Sequence, residues 1–157
     1  MTDLRPSTVT AWIGLQRVSR IVLEHIGAAL AENGLPDLSW YDALYEIEKA
    51  GDAGIRPFEL KDRLLLPQYG TSRLLDRIEK AGLVLRLPSK DDGRGHLVAI
   101  TDAGRTLRRR MWPVYSGALQ RALEERMSND QAEALAAVLA QLRHGLPSSE
   151  AGPNPTP

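Results

Sequence analysis

The residues best suited to chemistry in this sequence are cations at helical spacing. Tyr69, Ser72, Arg73, Asp76, Arg77 and Lys80 recur at intervals of three and four, which places them along one side of a single helix. Thr71, Leu74, Leu75, Ile78 and Ala81 fall on the opposite side, the pattern of a face packed into a core. A helix buried on one face and basic on the other can enter the DNA major groove. There arginine pairs with guanine edges, while Ser, Thr and Gln reach bases or phosphates. Base contacts concentrate in the first turn of such a helix, here Gln68-Tyr69-Gly70-Thr71-Ser72-Arg73. Further along, Lys90, Asp92, Arg94 and His96 lie on a glycine-containing loop between two short apolar runs. An arginine on such a tip suits a narrow, electronegative minor groove, and Asp92 can hold the guanidinium of Arg94 in place. The expected DNA contacts are therefore Gln68, Tyr69, Thr71, Ser72, Arg73, Arg77, Lys90, Asp92 and Arg94.

Composition narrows the alternatives. The chain has 157 residues, 20 Lys+Arg against 20 Asp+Glu, three His and no Cys. Net charge zero hides a division. Arg56 to Arg110 holds 13 bases and 7 acids, a surplus of +6, and the remainder carries −6. Charge asymmetry of this kind marks a polyanion-facing segment attached to something else. Absence of Cys excludes disulfides, thiolate metal sites and cysteine nucleophiles. His25, His96 and His144 have no metal-binding spacing, and no cofactor is expected. No apolar run reaches the length of about 18 residues that a membrane helix needs, and Met1–Pro6 lacks a signal-peptide pattern. A cytoplasmic location follows. No nucleophile and base are paired in the sequence, so an enzyme is not expected.

The elements that must position these residues follow from periodicity. Ser7 can cap a first helix bearing Trp12, Leu15, Val18, Val22 and Ile26, stopped by Asn33-Gly34 and Pro36. Ser39 can cap a second, from Trp40 to about Ala50. A third starts at Pro57 and runs to about Leu65. The fourth, Gln68 to Ala81, ends at Gly82. Periodicity then shortens towards two in Leu83–Leu87 and Leu97–Ile100, read as a hairpin with Asp-Gly at its turn. A long helix from Asp102 to about Met127 contains Pro113, which should kink or locally break it. Ser128-Asn129-Asp130-Gln131 is a capping box opening a last helix with Leu135, Val138, Leu139 and Leu142 on one stripe. The proline-rich end, 145–157, is expected to be disordered. The predicted fold is mainly α (α+β). Its winged helix-turn-helix covers 39–101, and a helical dimerisation domain is built from the N-terminal helix (1–38) and the C-terminal helices (102–144).

The segment Leu74–Arg86 resembles the end of the MarR-family recognition helix and its first wing strand. Asp92-Gly93-Arg94, with Val98-Ala99-Ile100-Thr101-Asp102-Ala103-Gly104-Arg105, is similar to that family's wing and its D-x-R … L-T-x-x-G signature. The likeness spans roughly Ser39–Leu107. It departs from the family at Pro67-Gln68-Tyr69-Gly70, which stands where a Ser/Thr-rich helix start is usual. The resemblance implies a homodimer, a palindromic operator on double-stranded DNA, repression as the commonest outcome, and release of DNA by a small phenolic or anionic effector. Without Cys, the family's peroxide-sensing thiol route does not apply. Two features agree independently with a dimer. The first and last helices carry apolar stripes that a single winged helix could not cover. A helix from Asp102 to Met127 would extend about 39 Å, enough to hold two reading helices about 34–36 Å apart.

Six of the eight aromatics, Trp12, Trp40, Tyr41, Tyr45, Trp112 and Tyr115, fall near helix ends where the two halves should meet. Aromatic walls with a nearby arginine (Arg17, Arg20 or Arg86) suit an aromatic anion. The expected effector site is Trp12, Trp40, Tyr41, Tyr45 and Arg86. The leading function is a ligand-responsive transcriptional regulator. The alternative is a winged-helix protein-interaction module without DNA binding, since fold does not fix function. The Arg108-Arg109-Arg110 run has no role in either reading.

Overall fold

The computed structural model describes residues 3–65, 70–89 and 95–146. The expectations for Gln68, Tyr69, Lys90, Asp92, Arg94 and most of the C-terminal tail lie outside the described residues. The chain divides into two compact units, Met1–Leu119 and Gln120–Pro157. Its elements are α1 (Pro6–Glu32), α2 (Leu38–Lys49), α3 (Pro57–Arg63), α4 (Thr71–Lys80), β1 (Val84–Pro88), β2 (His96–Ile100), α5 (Asp102–Ala122) and α6 (Asn129–Gly145).

Local chemistry sets the helix bounds, in several places not where the sequence reading put them. Pro6 opens α1 at its first position with Arg5 before it and no side-chain cap, so Ser7 is already inside the helix. Asp37, rather than Ser39, caps α2, accepting the backbone N–H of Ser39 at 3.0 Å. Gly70 takes a left-handed φ of 104°, accessible to glycine at little cost. It stands as the N-cap of α4, which begins at Thr71. At the other end of α4, Gly82 N–H bonds Glu79 O at 2.8 Å and Leu83 N–H bonds Ile78 O at 3.0 Å, a Schellman closure. The long helix α5 runs through Pro113 but ends at Ala122, short of Met127. Glu124 and Glu125 follow in a 3-10 turn, and carboxylates oppose the negative pole of a helix C-terminus. The Arg126 guanidinium instead donates to the Arg121 carbonyl. The capping box of α6 is present in both directions: Ser128 Oγ accepts Gln131 N–H at 3.2 Å, and Gln131 Oε1 accepts Ser128 N–H at 2.9 Å.

Two apolar clusters organise the first unit. One gathers Leu44 and Ile47 of α2, Ile55, Leu60 of α3, Leu74, Leu75 and Ile78 of α4, and Val84, Val98 and Ile100 of the strands. The second joins Ile26 and Leu30 of α1 to Leu38 and Tyr41 of α2 and to Met111 and Ala118 of α5. Leu107 packs against both. β1 and β2 pair antiparallel, from Val84 opposite Ile100 to Pro88 opposite His96. Ile55 extends this sheet by bonding Val98 in both directions at 2.9 Å. A single bridging residue shows no alternation, which is why periodicity did not reveal it.

The hairpin meets α5 at a close joint. Thr101 N–H donates to Leu83 O at 3.0 Å. Its hydroxyl donates to Gly82 O at 2.7 Å and accepts from Gly104 N–H at 3.1 Å. A β-carbon on Gly104 would lie 2.2 Å from Leu83 O, so the Thr101-x-x-Gly104 spacing is a packing requirement. Gly104→Ala is expected to cost about 1–3 kcal/mol, the range for forcing an extra carbon into a filled site. Thermal denaturation reads this as a lower midpoint, and an unchanged midpoint would contradict so close an approach.

Candidate nucleic-acid interface

Helix α4 is two-faced. Leu74, Leu75 and Ile78 are buried, while Ser72, Arg73, Asp76, Arg77 and Lys80 are exposed. Thr71 needs correcting as an expected contact. It is only 8% exposed, and its buried hydroxyl has no hydrogen-bond partner among the described residues. Being on the same side as Leu74, Leu75 and Ile78, it turns inward with them. Arg77 lies over the Trp40 ring at 5.6 Å, a cation–π contact that steadies its side chain on the exposed face. Trp40 is half-buried against the first cluster. The structure therefore puts this ring beside α4 and not in a wall shared with Tyr41.

Arg86, on β1, also differs from its expected place. Its Nη2 donates to Asp76 Oδ1 and its Nε to Glu79 Oε2, each at 2.6 Å. Nη1 meets His96 Nε2 across the hairpin. The guanidinium is thus engaged by α4 and β2 rather than by the aromatic residues. At the base of the wing, Arg56 Nη2 donates to Ser89 Oγ at 3.4 Å, and Ser89 N–H closes on Gly95 O at 3.2 Å. Sequence reasoning counted Arg56 only as a charge. The partners are 33 residues apart, so no local pattern could have paired them.

Around Tyr41 the rings do gather, with different members. Tyr41 stacks with Tyr45 at 6.1 Å and with Trp112 at 6.1 Å, and Tyr115 stands edge-on to Tyr41 at 5.1 Å. Trp12, 60% exposed on α1, makes no ring contact with them. The cation here is Arg108, not Arg86. It lies 5.9 Å from the Tyr45 ring centroid and ion-pairs with Glu48. One turn earlier, Arg105 pairs with Asp102 at 3.1 Å and Asp52 at 3.4 Å. Arg105 and Arg108 therefore hold α5 against α2 and the turn after it, which gives the first arginine of the 108–110 run a role. Burial raises the Tyr41 phenol above its ordinary value, against the opposing hydrogen bond and charge of Arg108. Burial likewise raises Tyr115, with Tyr41 and Asp42 adding to the effect. For Arg108 burial works downward, but the hydrogen bonds to Glu48 and Tyr41 outweigh it and hold the guanidinium above its usual value.

Among the described residues no group of His, Asp or Glu could hold a metal ion, and no helix is long and apolar enough to cross a membrane. A short helix α3, the two-faced α4 that follows it and an antiparallel hairpin packed on α2 define a winged helix-turn-helix protein. Residues 33–95 match the sequence profile of the MarR family. No curated protein matches it by sequence. Among solved structures it is similar to Sco3205, a MarR family transcriptional regulator from Streptomyces coelicolor in complex with DNA. That likeness has a TM-score of 0.83 and 23% identity, over 98% of this chain and 97% of that one. A mutant MarR from E. coli complexed with operator DNA matches with TM-score 0.74 and 24% identity, over 90% of this chain and 99% of that one. CouR from Rhodococcus jostii, bound to p-coumaroyl-CoA, matches with TM-score 0.70 and 24% identity, over 86% and 92%.

The raised phenols of Tyr41 and Tyr115 link folding to alkaline pH. Below the ordinary value of 10.0 both states hold these protons, and the contribution is complete. Above it the unfolded chain releases them first, so stability falls as pH rises through the folded values. Denaturant midpoints measured from pH 8 upward are expected to drop beyond about pH 10, and Tyr41→Phe to flatten that drop. An equally steep drop in the variant would contradict the burial argument for Tyr41.

Proposed function

We propose that the protein is a sequence-specific DNA-binding transcriptional regulator, acting as a homodimer on a palindromic operator and most simply as a repressor. The observation that carries this is the orientation of α4. Its apolar face is buried, and it holds Ser72, Arg73, Arg77 and Lys80 outward on one stripe, beside a hairpin braced to it. In the proposed docking, α4 lies in the major groove with Ser72, Arg73 and Arg77, preceded by Gln68 and Tyr69. The wing tip brings Lys90, Asp92 and Arg94 to the adjacent minor groove.

The dimer is supported by uncovered apolar surface in each unit. Trp12, Ile13, Val18 and Ile21 of α1 are exposed. So are Leu135, Val138, Leu139 and Leu142 of α6, which buries no residue at all among those described. Stripes of this extent favour burial against a second copy. The ring cluster of Tyr41, Tyr45, Trp112 and Tyr115 with Arg108 is the proposed receiver of an aromatic anion. Its place between α2 and α5 lets an occupant bias the orientation of the winged helix. The DNA-bound and p-coumaroyl-CoA-bound structures of similar fold agree with both parts of this reading.

Selection of bound duplexes from a random pool tests it. Enrichment of a two-fold symmetric sequence is expected, and an unenriched pool would overturn the proposal. With the selected operator, Arg94→Ala should weaken binding to every duplex and lower the slope of log K against log salt by about one. Arg73→Ala should instead change the preferred bases. A uniform loss for Arg73→Ala would count against base readout. Val18→Asp on α1 should halve the mass seen by light scattering, and an unchanged mass would remove α1 from the interface.

A further inference from the structure

The acids of α4 need a reason, because Asp76 and Glu79 stand on or beside a surface proposed to meet a polyanion. Arg86 answers both. Its three guanidinium nitrogens each face a different residue: Nε to Glu79, Nη2 to Asp76, and Nη1 to His96. Two partners belong to α4 and the third to β2, while Arg86 itself sits on β1. The planar fork of arginine can satisfy three directions at once, which a lysine ammonium does less specifically. Ion pairs this exposed add little to global stability; Asp76 is 67% and Glu79 40% exposed at the side chain. Their consequence is geometric. Helix and hairpin are already joined at Gly82–Leu83, and Arg86, three residues along, adds a second point of attachment. Two attachments remove the hinge that one leaves. A binding surface built from two elements needs them held within about 0.5 Å of the productive arrangement.

We infer that Arg86 is a specificity-determining positioning residue, bracing α4 and the β1–β2 hairpin into one reading surface through Asp76, Glu79 and His96. Its loss lowers discrimination between operator and other DNA more than it lowers general DNA affinity. This rests on the DNA-binding reading above.

The test is a double-mutant cycle on the full chain, using Arg86→Gln, Glu79→Gln and the double variant, which keeps the wild-type net charge. Fluorescence anisotropy gives the affinity ratio between the selected operator and a scrambled duplex at one salt concentration. Arg86→Gln is expected to lower the ratio about tenfold, the order of one mismatched base pair. Glu79→Gln should lower it in the same direction although it removes a negative charge. The double variant should resemble Arg86→Gln alone, because both changes break one contact. Recovery of the wild-type ratio in the double variant, or equal weakening on both duplexes, would overturn the brace in favour of simple charge. Should Arg86→Gln fail to fold by circular dichroism, a Glu79→Gln ratio equal to wild type would overturn it alone. A wild-type protein that binds without preference would remove the DNA-binding reading itself, and this inference with it.

Discussion

The burial of Leu74, Leu75 and Ile78 against α2, α3 and the hairpin governs the rest of the structure. Each such side chain contributes on the order of 1.5–3 kcal/mol on leaving water, and all three lie within five consecutive positions of a ten-residue helix. Rotating α4 by even a third of a turn would expose them and bury charge. The direction of Ser72, Arg73, Arg77 and Lys80 is therefore set by residues that never meet a ligand. The same burial carries Thr71 inward and places Trp40 where Arg77 can lie over its ring.

Electrostatics then sorts the cations into two kinds. The basic segment from Arg56 to Arg110 looks uniform as a count, but its members have different partners. Arg86 faces Asp76 and Glu79, Arg105 faces Asp52 and Asp102, and Arg108 faces Glu48. These three are structural, joining the helix to the wing and α5 to α2. Arg73, Arg77 and Lys80 have no carboxylate partner among the described residues, and they share one face. A zero net charge thus conceals cations paired with carboxylates and cations without such a partner among the described residues, the second kind being those the proposed function sets against a polyanion. Only the second kind contributes to counterion release.

What was legible in the sequence was local. The three-and-four spacing of α4, the capping box at Ser128, the Pro57 start of α3 and the change of period at Leu83 each rest on interactions within a turn or a hairpin. What was not legible depended on separation along the chain. Arg108 finds Glu48 across 60 residues and Arg56 finds Ser89 across 33. Neither spacing has a local signature, so Arg108 stayed unexplained while Arg86 was set among the rings. Adjacent residues also diverge more than a list of aromatics implies. Trp40 packs in the winged-helix cluster, and Tyr41, its neighbour, packs with Met111 of α5. Thr71 failed for a further reason: it satisfied both the apolar periodicity and the polar chemistry of a helix start, and periodicity won.

The central claim is that the exposed face of α4 is what touches DNA, and arginine footprinting addresses it directly. Modification by an arginine-specific dicarbonyl can be mapped by mass spectrometry with and without the selected duplex. Arg73 and Arg77 should lose reactivity in the complex, while the exposed Arg109 and Arg110 of α5 keep theirs. Undiminished reactivity at Arg73 and Arg77 in a saturated complex, with protection moved to Arg109 and Arg110, would contradict it.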